Sequence, residues 1–75
     1  MFFKPGYWMN QSPKYLIKLL EANGFFYKRA KEPHQMYYNP ITNITIIVPV
    51  HGNKDIKKGT FLANLKQAGI DKPVL

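Results

Sequence analysis

A chain of 75 residues holds one small domain, because a body of this size buries only about 60% of the surface its unfolded chain exposes and has no room for a second core. Apolar residues make up 45% of it and aromatics 15%, with no cysteine. That composition suffices for folding without the charge excess of a disordered segment, and it excludes disulfides, thiolate catalysis and cysteine-ligated metal sites.

Eleven Lys and Arg against four Asp and Glu leave a formal charge of +7. So large an excess on so small a body points to a polyanionic partner, because each neutralised phosphate of a nucleic acid releases condensed counterions. An anionic membrane surface is the competing partner, and a basic surface that only aids solubility is the plainer alternative.

Met1 to Gln11 carries Phe2, Phe3, Tyr7, Trp8 and Met9, interrupted by Lys4, Pro5 and Gly6. It is too short and broken for the apolar region of a signal peptide, and no apolar run approaches the ~20 residues that span a bilayer. The chain reads as soluble, cytoplasmic and without a membrane partner. Residues 1–11 form an aromatic extension of unknown role, ahead of a single domain over residues 12–75.

Ser12-Pro13 begins the first element. Serine caps a helix, proline suits its first position because the missing N–H would have no partner there, and Gly24 supplies a left-handed close. A helix is therefore expected from about Pro13 to Asn23, with Leu16, Leu19, Leu20 and Asn23 on one stripe and Ile17 beside it. Phe25 to Lys31 alternates loosely and predicts a half-buried strand. In a second strand over His34 to Asn39, His34, Met36 and Tyr38 share one face while Gln35 and Tyr37 share the other.

The turn chemistry of Asn39-Pro40-Ile41-Thr42-Asn43 predicts a hairpin into Ile44 to Val50. That stretch is the most β-branched of the chain and the candidate for the central, most buried strand. A polar, basic loop from His51 to Gly59 follows. Thr60 is the expected cap of a second helix with Phe61, Leu62, Leu65 and Ala68 at helical spacing, closed by Gly69, with Ile70 folding back on the last turn. The fold class is α+β: helix, three strands, helix, with a three-stranded antiparallel sheet, both helices on one face and the other face open.

Histidine alone titrates ordinarily between pH 5 and 8, so His34 and His51 are the candidates for acid–base chemistry. They lie too far apart for a local zinc motif with no third ligand evident, the acidic residues suggest no catalytic pair, and five scattered glycines form no phosphate loop. No metal or cofactor is called for. On an open basic face, His34 could take the proton of an RNA 2'-hydroxyl while Lys28, Arg29 and Lys31 stabilise charge on the phosphate, giving a 2',3'-cyclic phosphate.

Judged by itself, a lone histidine is more often an ordinary surface residue, and His51, ending the third strand, reads first as a loop residue that bonds backbone. Tyr27, Tyr37 and Tyr38 are candidates for stacking on bases. Alternation lets only one of the last two face a ligand. The RNA-binding set is Lys28, Arg29, Lys31, Tyr37, Lys57 and Lys58, with His51 a secondary catalytic candidate.

Leu-Ile-Lys-Leu-Leu-Glu-Ala-Asn-Gly-Phe, a histidine opening strand two, Ile-Val-Pro-Val-His-Gly-Asn-Lys-Asp-Ile-Lys-Lys-Gly-Thr and Leu-Lys-Gln-Ala-Gly-Ile together resemble the HicA family of bacterial toxins over about Ser12 to Ile70. The resemblance implies a double-stranded-RNA-binding-domain-like fold, an mRNA interferase activity with His34 as the catalytic histidine, and a HicB-like antitoxin that masks the active site. Family members usually carry Gly-Ser before that histidine, where this chain has Glu32-Pro33. Two functions follow as expectations: a metal-independent endoribonuclease toxin, or a non-catalytic RNA-binding module of the same fold.

Overall fold

The computed structural model describes residues 10–52 and 54–70. The expectations for residues 1–9 of the extension, and for the end of the domain at 71–75, lie outside the described residues. Helix α1 spans Pro13–Ala22, and strands β1 (Phe26–Lys31), β2 (His34–Asn39) and β3 (Ile44–Pro49) precede helix α2 (Lys58–Ala68). The strands pair antiparallel in the order β1-β2-β3.

Local chemistry explains the ends of α1. Ser12 Oγ accepts the Tyr15 N–H at 3.2 Å with Pro13 beside it in the first turn, which satisfies a donor that a helix start otherwise leaves open. Gly24 closes the helix at φ +91°, and a Cβ there would meet Asn39 Nδ2 at 3.2 Å. Glycine is thus required by conformation and by close approach. Asn23 is exposed and off the predicted stripe, donating from Nδ2 to the Leu19 carbonyl.

Leu16, Leu19 and Leu20 are fully buried. They meet Tyr37, Ile46 and Val48 from the sheet and Phe61 and Leu65 from α2 in one core. Each such side chain contributes about 1.5–3 kcal/mol relative to leaving it exposed. Tyr15 stacks on Phe61 with centroids 6.2 Å apart, joining the two helices.

The sheet departs from expectation twice. Every residue of β1 is exposed, not half-buried, because both helices pack on β3 at the opposite side of the sheet. For the same reason β3 supplies the fully buried pair Ile46 and Val48 yet is an edge strand; the central one is β2. Covering by helices, not position within the sheet, buries its β-branched residues.

Helix α2 begins two residues before the expected cap. Phe61 N–H already bonds the Lys57 carbonyl at 2.9 Å, so Thr60 lies inside the first turn, and Lys57 at the cap position makes no side-chain capping bond. Its buried face is Phe61, Asn64 and Leu65, whereas Leu62 is exposed. Asn64 donates from Nδ2 to the Ile47 carbonyl at 3.3 Å, satisfying an acceptor on the edge strand. Gly69 closes the helix at φ +80°, and Ile70, buried, bonds back to the Leu65 carbonyl, as predicted.

The loop before α2 is less polar than its composition suggests. Ile56 is buried within the core cluster, and its N–H and carbonyl both bond Gln11. Asn39, also buried, is engaged at both atoms of its amide: Nδ2 donates to the Asn23 carbonyl and Oδ1 accepts the Ile41 and Thr42 N–H groups. One side chain therefore ties the end of α1 to the β2–β3 turn.

Candidate functional site

Antiparallel register sets which side chains share a face, because directly paired residues project to the same side. Tyr37 is in the core, so Gln35, Tyr37 and Asn39 mark the helix-covered face of β2 and His34, Met36 and Tyr38 the open one. His34 pairs with Lys31 on one side and Pro49 on the other. It is exposed at the first position of β2, and the Val50 N–H donating to the Pro33 carbonyl at 2.8 Å holds this end of the hairpin together.

Arg29 pairs with Met36, and its Nε lies 3.4 Å from the Met36 sulfur. Arg29, Lys31 and His34 consequently form one exposed cluster on the open face. Lys28 sits mid-strand at the irregularity where the register shifts between Tyr27 and Arg29, and its side chain lies toward the other end of β2, with Nζ 5.1 Å from the Tyr38 ring centroid. Tyr38 is four residues from His34, about 13 Å along a strand rising ~3.3 Å per residue. Lys28 and Tyr38 can thus hold a different part of a chain-like ligand from the part at His34.

Tyr37 is not placed to stack on a ligand. It is 4% exposed and part of the core, its hydroxyl donates to Gln35 Oε1 at 3.0 Å, and its ring meets Tyr27 edge-on at 5.8 Å. Burial raises its pKa above the ordinary tyrosine value, with the Glu21 carboxylate and Tyr27 adding to the shift. The opposed parities of Tyr37 and Tyr38 were readable from the strand pattern. Only the side taken by the helices decided which of the two is covered: of this pair Tyr38 is left on the open face, beside its exposed cross-strand partner Phe26.

His51 stands at a second feature, a cleft of about 360 Å³ beyond the end of β3. Pro49 and Ile56 provide its apolar lining, and Lys54, Asp55, Lys57 and Thr60 the rest of its polar lining. Pro49 belongs both to this cleft and to the His34 rung, so the two features adjoin. Lys58 is exposed on the first turn of α2. The sequence marked His51, Lys57 and Lys58 as basic loop residues, whereas Pro49, Lys54 and Asp55 carried no signal of a shared site. Their convergence depends on the long-range pairing of Gln11 with Ile56.

Among the described residues no group of three or more His, Cys, Asp or Glu forms a metal-binding cluster, and no helix is long and apolar enough to cross a membrane. No curated protein is matched by the chain. A family model described as the HicA toxin of bacterial toxin-antitoxin matches residues 13–70.

Proposed function

The chain belongs to the HicA toxin family of bacterial toxin–antitoxin systems, and from that premise we propose that it is an endoribonuclease cutting mRNA with His34 as its general base. The observation that carries this reading is the position of His34: exposed, on the helix-free face, in register with Lys31 and near Arg29. A neutral imidazole there accepts the proton of an RNA 2'-hydroxyl. The O2'–P bond forms, the P–O5' bond breaks, and the departing 5'-oxygen takes a proton from solvent. The products are a 2',3'-cyclic phosphate and a 5'-hydroxyl, and no metal takes part.

The cations act by charge. Lys31 and Arg29 stabilise negative charge building on the phosphate oxygens, while Lys28, beside Tyr38, together with Lys57 and Lys58 holds the RNA backbone to either side. The toxin domain is residues 12–75. Its partner in the toxin–antitoxin pair is a HicB-like antitoxin that covers the His34 face, presenting acidic or hydrogen-bonding groups to Lys31 and His34.

The test is cleavage of a long unstructured RNA in excess chelator by the parent chain and by His34→Ala. Loss of cutting in the variant alone supports the reading; a parent that requires a divalent ion, or a variant that cuts at the parent rate, refutes it. Binding of RNA without chemistry is the second reading, favoured by one observation: exposed Glu32, two residues before His34, brings a negative charge toward the phosphate. A folded parent that binds RNA and never cuts it would establish that reading instead.

A further inference from the structure

The cleft beyond β3 is not used by the proton transfer at His34, and its chemistry differs from that of the open face. Its apolar lining is Pro49 and the otherwise buried Ile56, and its polar groups include two lysines, an imidazole and a single carboxylate, Asp55. A volume of about 360 Å³ lies at the small end of the ligand-pocket range of roughly 300–1,000 Å³, which suits one nucleotide and not a folded helix of RNA. Because Pro49 is the cross-strand partner of His34, an RNA strand with its 2'-hydroxyl at His34 leads an adjoining nucleotide to the cleft.

We propose that this cleft is a base-reading subsite for a nucleotide beside the cleaved phosphodiester, and that Asp55 makes it prefer guanine. The proposal takes RNA as the substrate from the reading above and adds the recognition of one base. Lysine ammonium groups only donate, so Lys54 and Lys57 suit the phosphate; an ionised carboxylate only accepts, so Asp55 suits a base edge rich in N–H groups. Guanine offers N1–H and N2–H side by side, matching the two carboxylate oxygens. Adenine and cytosine offer an amino group next to an acceptor nitrogen, and uracil offers one N–H between two carbonyls that repel the carboxylate. Pro49, with the small part of Ile56 left open, gives the base an apolar surface to lie against.

Mononucleotides test this without any cleavage, since they contain no phosphodiester. The folded parent chain is titrated with GMP, AMP, CMP, UMP and ribose 5-phosphate while backbone amide resonances are followed by NMR. GMP is expected to shift the amides of His51 and of residues 54–60 at concentrations roughly tenfold below those needed for UMP or ribose 5-phosphate, the ratio typical of a hydrogen bond to a charged group. Asp55→Asn should remove the guanine preference and keep ribose 5-phosphate binding, whereas Lys57→Ala should weaken all five ligands.

Equal binding of GMP, UMP and ribose 5-phosphate, shifts confined to β1 and β2, or no shifts at all would overturn the subsite. If GMP preference is found while the parent never cuts RNA, the cleavage reading fails and the cleft stands as a guanine site of an RNA-binding module. If RNA is cut and no base is preferred, the subsite alone fails.

Discussion

Gln11 and Ile56, forty-five residues apart in the chain, exchange two hydrogen bonds: Gln11 Nε2 donates to the Ile56 carbonyl at 2.7 Å, and the Ile56 N–H donates to the Gln11 carbonyl at 2.8 Å. This pairing turns Ile56 into the core and holds the neighbouring Asp55 and Lys57 at the cleft mouth. Gln11→Ala deletes one of the two bonds and leaves the backbone one. It is expected to lower unfolding free energy by about 0.5–1.5 kcal/mol and to broaden the amide signals of residues 54–57. Urea titration and NMR of parent and variant check both effects, and an unchanged urea midpoint would show that the side chain contributes nothing.

His34→Ala should reduce RNA cleavage by about 10²- to 10⁴-fold, the usual cost of losing a general base. Folding should hold to within about 0.5 kcal/mol, because the residue is exposed and begins an open-face strand. RNA binding should survive, since eleven Lys and Arg side chains supply the attraction. Cleavage, circular dichroism and a binding titration on the same preparations separate these effects. His51→Ala is expected to lower cleavage only modestly.

Tyr37 predicts an alkaline limit to stability. Its folded-state pKa is raised by burial first and by Glu21 and Tyr27 after it, so the folded form retains the phenolic proton at a pH where the unfolded chain has released it. The stabilisation is complete below the ordinary tyrosine value of about 10 and is lost as pH rises through the folded-state value. Tyr37→Phe cannot titrate and loses only the bond to Gln35. Its melting temperature should therefore fall less steeply than the parent's between about pH 9 and 11; parallel curves would assign the alkaline loss to other groups.

Electrostatic binding fixes the salt response. The affinity for single-stranded RNA should fall on a log–log plot against salt with a slope of roughly −0.7 per phosphate contacted. Lys31→Ala should lessen the slope by about one contact without altering sequence preference, because phosphate contacts position an RNA and do not read it. Fluorescence anisotropy at several salt concentrations checks both statements. A flat response would show that the basic face does not grip phosphate.

Both ends of α1, the close of α2 and the alternation of the strands are written in local chemistry, and they were legible in the residues themselves; the start of α2 was not, because Lys57 takes the cap position without a side-chain bond to mark it. Ser12 and Pro13 start α1, Gly24 and Gly69 end the two helices in the left-handed region, and Ile70 folds back because the cap geometry brings it over the last turn. The period-2 pattern of β2 was equally plain, since alternation follows from the pleat whatever packs on either face, and it alone sets His34 with Met36 and Tyr38. The family resemblance, carried together by α1, the histidine opening β2 and the ends of β3 and α2, rested on the same local signals.

Which face the helices cover was settled only by long-range packing. That choice sent Tyr37 into the core and left Tyr38 outside, made β3 a buried edge and β1 an exposed one, and gave Asn64, a polar residue, a place against the Ile47 carbonyl. It also drew Ile56 out of a basic loop through its pairing with Gln11, assembling the cleft from Pro49, His51, Lys54, Asp55 and Lys57. Such features depend on contacts between segments far apart in the chain, whose free energy is set by shape and burial in three dimensions. No window of neighbouring residues contains that information.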